Sequence, residues 1–436
     1  MRTPLQLLVL LALGASVSAV HADESNVALY GILDSAIANI QHALDFSASH
    51  PVANNPNVTK GTNSATGVLN GGMSATRWGM KGQEDLGGGT NAVFLLEQGF
   101  NLASGAVSNA ALSLANNKST GPDMSADSAV SGQLFNRGAY VGLASGSLGT
   151  LTFGRQQSFF LDNIAVFDPM MGSQAFSPIG FSGTYGGGGA TEDSRVDNSL
   201  KYKLALGDFA LGALYKFGGV AGNATAQTGV QLNGVYSAGP LAVQLGYQAL
   251  KDAFASANAS GAGTLAATAE DTKAFMIAAK YTYEQLTVRT GYEREDLSNP
   301  SHPAADQGVT YLFGIPLSAP ASVNAYPNQE VFNVYWLGGG YAFTPALNLL
   351  IGGYRVTQND YDPVNCANRT QSARCSGTLN YYSLVGDFGL SKRTDFYAGF
   401  MESTVSGGPA SKVANTPPLP SETSNRIIVL GVRHRF

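Results

Sequence analysis

No run of eighteen or more apolar residues occurs in this 436-residue chain, so it lacks the segment that would cross a bilayer as a helix. Charge is scarce. Only 13% of residues are charged, 25 basic against 30 acidic, and the formal net charge is −5. Without a basic excess, nucleic acid is not an expected partner. Histidine is nearly absent: beyond the first 22 residues only His42, His50, His302 and His434 remain, and none adjoins a recognisable serine or carboxylate constellation. The glycine runs Gly87 to Gly89 and Gly186 to Gly189 lack the following helix and the Lys-Ser/Thr of a phosphate loop. They read as turn and loop flexibility. Neither a cofactor nor a metal is therefore expected. Cys366 and Cys375 are the two cysteines, and both lie in one turn-rich polar segment. In an exported protein that spacing reads as a local disulfide.

Export is written at the start of the chain. Arg2 precedes the apolar run Leu5 to Gly14, and small residues end in Val20-His21-Ala22. This is the form of a secretory signal peptide over 1–22, with a mature start at Asp23 and a cut after Ala19 as the alternative. Residues 23–436 show no linker and are expected to form one architecture. They are rich in Gly (53), Tyr (19) and Phe (21), counted over the whole chain, with a mean hydropathy near zero. A chain that must satisfy its backbone in lipid without apolar helices has one other solution, a closed barrel.

Apolar residues recur at period two in segments of about ten residues, the pattern of membrane-spanning strands. Turn residues divide the chain into sixteen such strands: 26–40, 71–83, 91–102, 130–144, 149–157, 195–206, 209–217, 228–238, 241–250, 272–283, 285–294, 331–343, 347–357, 377–389, 394–404 and 425–436. Connections alternate between tight turns such as Gly207-Asp208 and Thr344-Pro345 and long Ala/Ser/Asn/Gly/Pro-rich loops, including 41–70, 103–129 and 158–194. That segregation fits an all-β, sixteen-stranded antiparallel transmembrane barrel with both termini at the periplasmic rim. In Arg77 to Lys81 one phase holds Arg77 and Lys81, the other Trp78 and Met80. In Arg195 to Leu206, Arg195, Asp197, Ser199, Lys201 and Lys203 share one phase, and Val196, Leu200, Tyr202, Leu204 and Leu206 the other. A charge facing lipid near the midplane costs roughly 2–4 kcal/mol, so the polar phase is expected inside. Tyr281, Tyr283, Tyr341 and Phe343 near strand ends read as interface girdle. The alternative architecture is a half-buried antiparallel sheet with its polar face in solvent.

Several stretches resemble the general porins of Gram-negative bacteria, closest to the Burkholderia type of β-proteobacteria. Val27 to Asp34 resembles their opening strand, Arg77 to Gly87 their second strand and first turn, Phe94 to Phe100 the third. Arg137-Gly138-Ala139-Tyr140-Val141-Gly142-Leu143 and Gly149 to Gln156 resemble the fourth and fifth. The closing strand alternates Ile428, Leu430, Val432, His434 and Phe436, and a final Phe436 resembles the signal read by the barrel-assembly machinery.

The resemblance implies a homotrimer in the outer membrane, in contact with its lipid, serving passive diffusion of ions and small hydrophilic solutes. It also implies a third long loop, 158–194, folded inward to narrow the pore. Wall arginines Arg77, Arg137 and Arg195 occupy positions that would face loop carboxylates, with Arg155 and Lys81 sharing their orientation. Asp162 and Asp168 are the carboxylates in the body of that loop, either opposing the arginines or capping turns, as Asp168-Pro169 suggests. Asp34, Glu97 and Asp197 are further lumen candidates. Each wall arginine has a second reading as a solvated inward residue or an interfacial snorkel. Positive charge at the narrowest zone gives an expected weak anion preference. A substrate-specific channel for a sugar or phosphate and, more remotely, a barrel enzyme are the competing functions.

Overall fold

The computed structural model describes residues 26–46, 60–103, 105, 134–179, 195–220, 222–256, 266–303, 311–312, 315–316, 320–322, 326–367, 372–411 and 420–436. Residues 1–22, Glu192, Asp193 and the glycine run at 186–189 lie outside them.

Sixteen antiparallel strands close into a barrel: β1 (Asn26–Phe46), β2 (Lys60–Asn70 and Arg77–Asp85), β3 (Thr90–Gly99), β4 (Gly138–Ser145), β5 (Gly149–Gln157), β6 (Arg195–Leu206), β7 (Phe209–Lys216) and β8 (Gly229–Ala238). The second half is β9 (Leu241–Ser256), β10 (Ala266–Tyr283), β11 (Leu286–Ser298), β12 (Glu330–Ala342), β13 (Leu347–Gln358), β14 (Gly377–Gly389), β15 (Thr394–Gly407) and β16 (Pro420–Arg435). Neighbours in sequence pair throughout, and β1 closes the ring on β16 from Ile32 opposite Arg435 upward. Closure leaves no edge, which a backbone in hydrocarbon requires.

The two segments of β2 pair with different halves of β1: Lys60–Asn70 with Ser35 to Asp45, and Arg77–Asp85 with Asn26 to Ile32. Turn residues and period alone place 41–70 in a loop and start this strand at 71. Instead, 71–76 is a break inside the strand, and Asp34 causes it. Its carboxylate accepts the amides of Gly72 (3.1 Å), Met73 (3.0 Å) and Ser74 (2.7 Å), drawing that stretch out of the ladder. Gly71 at φ 79° makes the corner, in a region that favours glycine.

Outward positions are apolar and exposed, among them Leu29, Val68, Phe153, Leu245, Ile277, Leu337 and Leu430. Tyr281, Tyr283, Tyr341 and Phe343 also face outward beside the short turns, at the level of an interface girdle. Inward positions divide the wall in two. On β10 and on β12 to β16 the inner face carries many buried apolar residues, Met276, Val334, Trp336, Tyr354, Val385 and Val429 among them, while β11 turns Glu293 and Glu295 into the same buried zone. A strand flanked by apolar surroundings on both sides is apolar on both faces.

What covers that half is the segment after β5. Helix α1 (Phe159–Phe167) starts at Ser158, whose hydroxyl accepts the Leu161 amide at 3.1 Å, and Asp168-Pro169 ends it. Its last carbonyls are taken by the wall, Val166 by Arg289 Nε (2.9 Å) and Phe167 by Trp336 Nε1 (3.0 Å). Beyond the helix, Ser173 Oγ and Ala175 N donate to the Gly72 carbonyl at 2.8 and 2.9 Å, and Ser383 Oγ donates to Phe176 O at 2.6 Å. Phe160, Phe167, Met170, Phe176 and Ile179 are all buried against the inner wall. Burying each large apolar side chain is worth roughly 1.5–3 kcal/mol. The wall makes room by omitting side chains. A β-carbon at Gly246 would fall 2.2 Å from the Phe160 ring, one at Gly212 2.3 Å from Phe159, and one at Gly399 2.5 Å from Phe176.

Candidate functional site: the charged half of the inner wall

The inner wall from β1 to β6, together with the short-turn ends of β14 to β16, carries charge. Its centre is Glu97 on β3, 3% exposed. Glu97 receives Arg137 Nε at 2.7 Å, Arg77 Nε at 3.5 Å and the Tyr30 hydroxyl at 2.8 Å. Registry explains the meeting. Glu97 stands opposite Gly79, the inward position between Arg77 and Lys81, and Gly79 stands opposite Tyr30. Paired residues of antiparallel strands share a face. Arg137 precedes β4, where the ladder has not begun, so it joins Glu97 although Val141 and Leu143 face out. The Arg77 side chain keeps 25% of its exposure, and its Nη1 donates to the Ala75 carbonyl at 3.0 Å. Lys81 is half-buried, its ammonium 5.3 Å from the Tyr30 ring centre.

Arg155 and Asp197 pair with each other at a register shift between β5 and β6. Two residues, Asp197 and Asn198 (φ 51°), stand opposite Arg155 there. The extra residue breaks the alternation read through Arg195 to Leu206: Val196 is buried inside with Phe159 and Leu214. Arg195, the first residue of β6, is buried as well.

The loop carboxylates find partners other than the arginines that the sequence reading set against them. Asp162, in the first turn of α1, lies 2.7 Å from Lys201 Nζ and 2.6 Å from Lys203 Nζ. Burial alone would raise its pKa, but the two ammonium groups outweigh that and hold the carboxyl below the usual range. Asp168 is fully buried. It accepts the Tyr354 hydroxyl at 2.5 Å and the Gly172 amide at 2.6 Å, and burial pushes its carboxyl upward against those hydrogen bonds. Asp34, as described, is a clamp on the β2 break and presents no charge to the lumen, being 0% exposed.

The periplasmic side of the same half holds a cluster that the sequence reading missed. Arg433 bridges Asp395 (2.8 Å) and Asp387 (3.2 Å) and donates to Ser74 Oγ at 3.0 Å, while Arg435 also pairs with Asp395. The signal was present: Arg433 and Arg435 occupy the phase opposite to Leu430 and Val432. Lys201 and Lys203 were likewise visible as an inward pair, but their partner lies in the inward segment. At the extracellular end, Cys366 and Cys375 are joined by a disulfide with 5.4 Å between their α-carbons.

This architecture recurs among known proteins. A Gram-negative porin family model matches residues 8–408. An outer membrane porin protein of Bordetella pertussis (strain Tohama I) is 28% identical over 432 residues, covering 95% of each chain. Among solved structures, an anion-selective porin from Comamonas acidovorans superposes with a TM-score of 0.59 at 18% identity, over 95% of this chain and all of that one. OmpT of Vibrio cholerae gives 0.58 at 14% identity over 96% and 100%, and its trimer form 0.55 at 15% over 95% and 100%. With a family model spanning most of its length and a closed sixteen-strand barrel, this chain belongs to the Gram-negative porin family, the channel-forming barrels of the outer membrane.

Proposed function

We propose that the chain forms a water-filled, homotrimeric diffusion channel for ions and small hydrophilic solutes, narrowed where the charged wall faces the segment from Phe159 to Ile179. The observation that carries this reading is the division of the inner wall. The inward segment is docked chiefly on the apolar wall and reaches β6 through Asp162, so the conduit is left along the side that holds Arg77, Lys81, Glu97 and Arg137. A transverse field there orders water and orients dipolar solutes, which disfavours apolar ones. Guanidinium groups suit the task because they stay charged when crowded.

The belt also carries the selectivity. Arg77, Lys81, Arg137, Arg155, Arg195, Lys201 and Lys203 set seven cations against the three carboxylates Glu97, Asp162 and Asp197, an excess of 7 − 3 = 4. Weak anion preference follows, the sign carried by the anion-selective Comamonas neighbour. At ~0.15 M salt a Debye length of ~8 Å keeps charges at the mouth from cancelling it. The reversal potential in a planar bilayer across a salt gradient tests this. Anion preference is expected, and replacing the partly exposed Arg77 and Lys81 together by Glu should move it toward cations with the trimer intact. A strongly cation-selective wild type, or selectivity unmoved by the double replacement, defeats the assignment.

A further inference from the structure

The outward face of the barrel carries a second charge pattern, unrelated to the pore. On β9, β10, β11, β13 and β16 the outward phase is fixed by exposed Leu245, Phe275, Val288, Ile351 and Ile428. Followed upward, each phase reaches an exposed basic residue, Lys251, Lys273, Arg294, Arg355 and Arg426, with Asp271, Asp296 and Glu422 farther along the phases of β10, β11 and β16. All five stand at one height. Counted from the short-turn end of their strands they lie eight to ten residues up: Leu241 to Lys251, Tyr283 to Lys273, Leu286 to Arg294, Leu347 to Arg355, and Arg435 to Arg426. At about 3.3 Å per residue and a tilt near 40°, that is a rise of roughly 20–25 Å, the height of the lipid-facing apolar band. The strands between them turn polar at the same level, with Asn333, Asn380 and Glu402.

The distribution around the barrel is one-sided. Every exposed lysine or arginine whose side chain is described is one of these five or belongs to the 390–393 turn, and none of them lies between Asn26 and Ala238. Arg294 is paired with Asp296 and Arg426 with Glu402, both at 2.9 Å. The side chains of Lys251, Lys273 and Arg355 make no hydrogen bond or ion pair with a described residue. A cation in that position leaves the hydrocarbon at the level where phosphate groups begin, and long basic side chains reach toward them.

We propose that this arc is a lipid-headgroup site, in which Lys251, Lys273, Arg294, Arg355 and Arg426 hold the phosphate groups of anionic lipid in the outer leaflet against the β9 to β16 half of the barrel. The site is independent of the pore, since all five side chains are outward, and it depends only on the barrel's residence in the membrane.

Native mass spectrometry of the detergent-solubilised trimer, offered equal phosphatidylglycerol and phosphatidylcholine, tests it. Wild type is expected to retain the anionic lipid in clear excess. Each basic residue near an anionic surface is worth about fivefold, the equivalent of ~1 kcal/mol. The Lys251→Gln, Lys273→Gln, Arg355→Gln triple variant should therefore lose most of the excess, with single-channel conductance unchanged. These three are chosen because glutamine there strands no carboxylate. If the triple variant does not assemble, Lys273→Gln and Arg355→Gln are scored singly for a drop of about fivefold. Equal retention of the two lipids by wild type, or a variant that keeps the wild-type excess, overturns the proposal.

Discussion

Asp34 ties the barrel wall to the inward segment, and removing its carboxylate should loosen both. The carboxylate takes four donors: the amides of Gly72, Met73 and Ser74 and the hydroxyl of Tyr397. Its backbone grips the same break from both ends, with Asp34 N bonded to Thr76 Oγ1 at 3.1 Å and Gly71 N to Asp34 O at 2.9 Å. The break in turn presents the Gly72 carbonyl that receives Ser173 and Ala175. In Asp34→Ala, three donors in buried surroundings and one at a partly buried site lose their acceptor. An orphaned buried donor costs about 1–3 kcal/mol, so the three give about 3–9 kcal/mol. Water entering the vacated space would bring the loss toward the low end. Two measurements follow. The temperature at which the folded oligomer dissociates on a denaturing gel should fall, and single-channel current should become noisier as Ser173 and Ala175 lose their anchor. Asp34→Asn keeps one acceptor oxygen and should lie between the two. Ser173→Ala removes one bond to the Gly72 carbonyl and should have the smaller effect. Wild-type dissociation temperature together with wild-type current noise in Asp34→Ala would refute the reasoning.

Glu97→Gln removes the one carboxylate among the described residues that pairs with Arg77 and Arg137, so the reversal potential should move further toward anions; an unchanged value would mean that this cluster lies outside the conducting path. Gly246→Val places methyl groups where the Phe160 ring now lies, and the displaced helix should change unitary conductance while leaving the barrel's strand content by circular dichroism as it was. In the extracellular segment after β13, hydrogen bonds from Asn365 and Arg374 hold the Asp362 carboxyl below its usual range. A lowered pKa contributes stability above the unfolded value that is lost as pH falls through the folded one, so hydrogen exchange over 362–375 should accelerate on acidification below the ordinary carboxylate range. Arg374→Gln should shrink that pH dependence.

The strands were legible because lipid imposes a strict rule on one face. Where the other face is polar, as at Thr287, Arg289 and Glu293 on β11, the period is plain, and the tight turns between strands carry their own glycine, proline and aspartate signals. What the sequence could not disclose depends on contacts across long separations. The break in β2 needs Asp34 to find the amides of Gly72 to Ser74, and no local pattern around residue 71 announces that. Asp162 was readable as a loop carboxylate, but whether it meets arginine or lysine is decided by where α1 docks. The docking itself is written in residues that carry no side chain, Gly212, Gly246 and Gly399, each opposite an aromatic ring far along the chain. One trace of it does survive in the sequence. On β12 the inward residues Phe332, Val334 and Trp336 are as apolar as the outward Tyr335 and Leu337, so the alternation that marks other strands fades. A barrel strand apolar on both faces cannot border water on either. With lipid outside, its inner face must be covered by protein, and the blurred period of β12 is therefore the mark of the sector on which the inward segment lies.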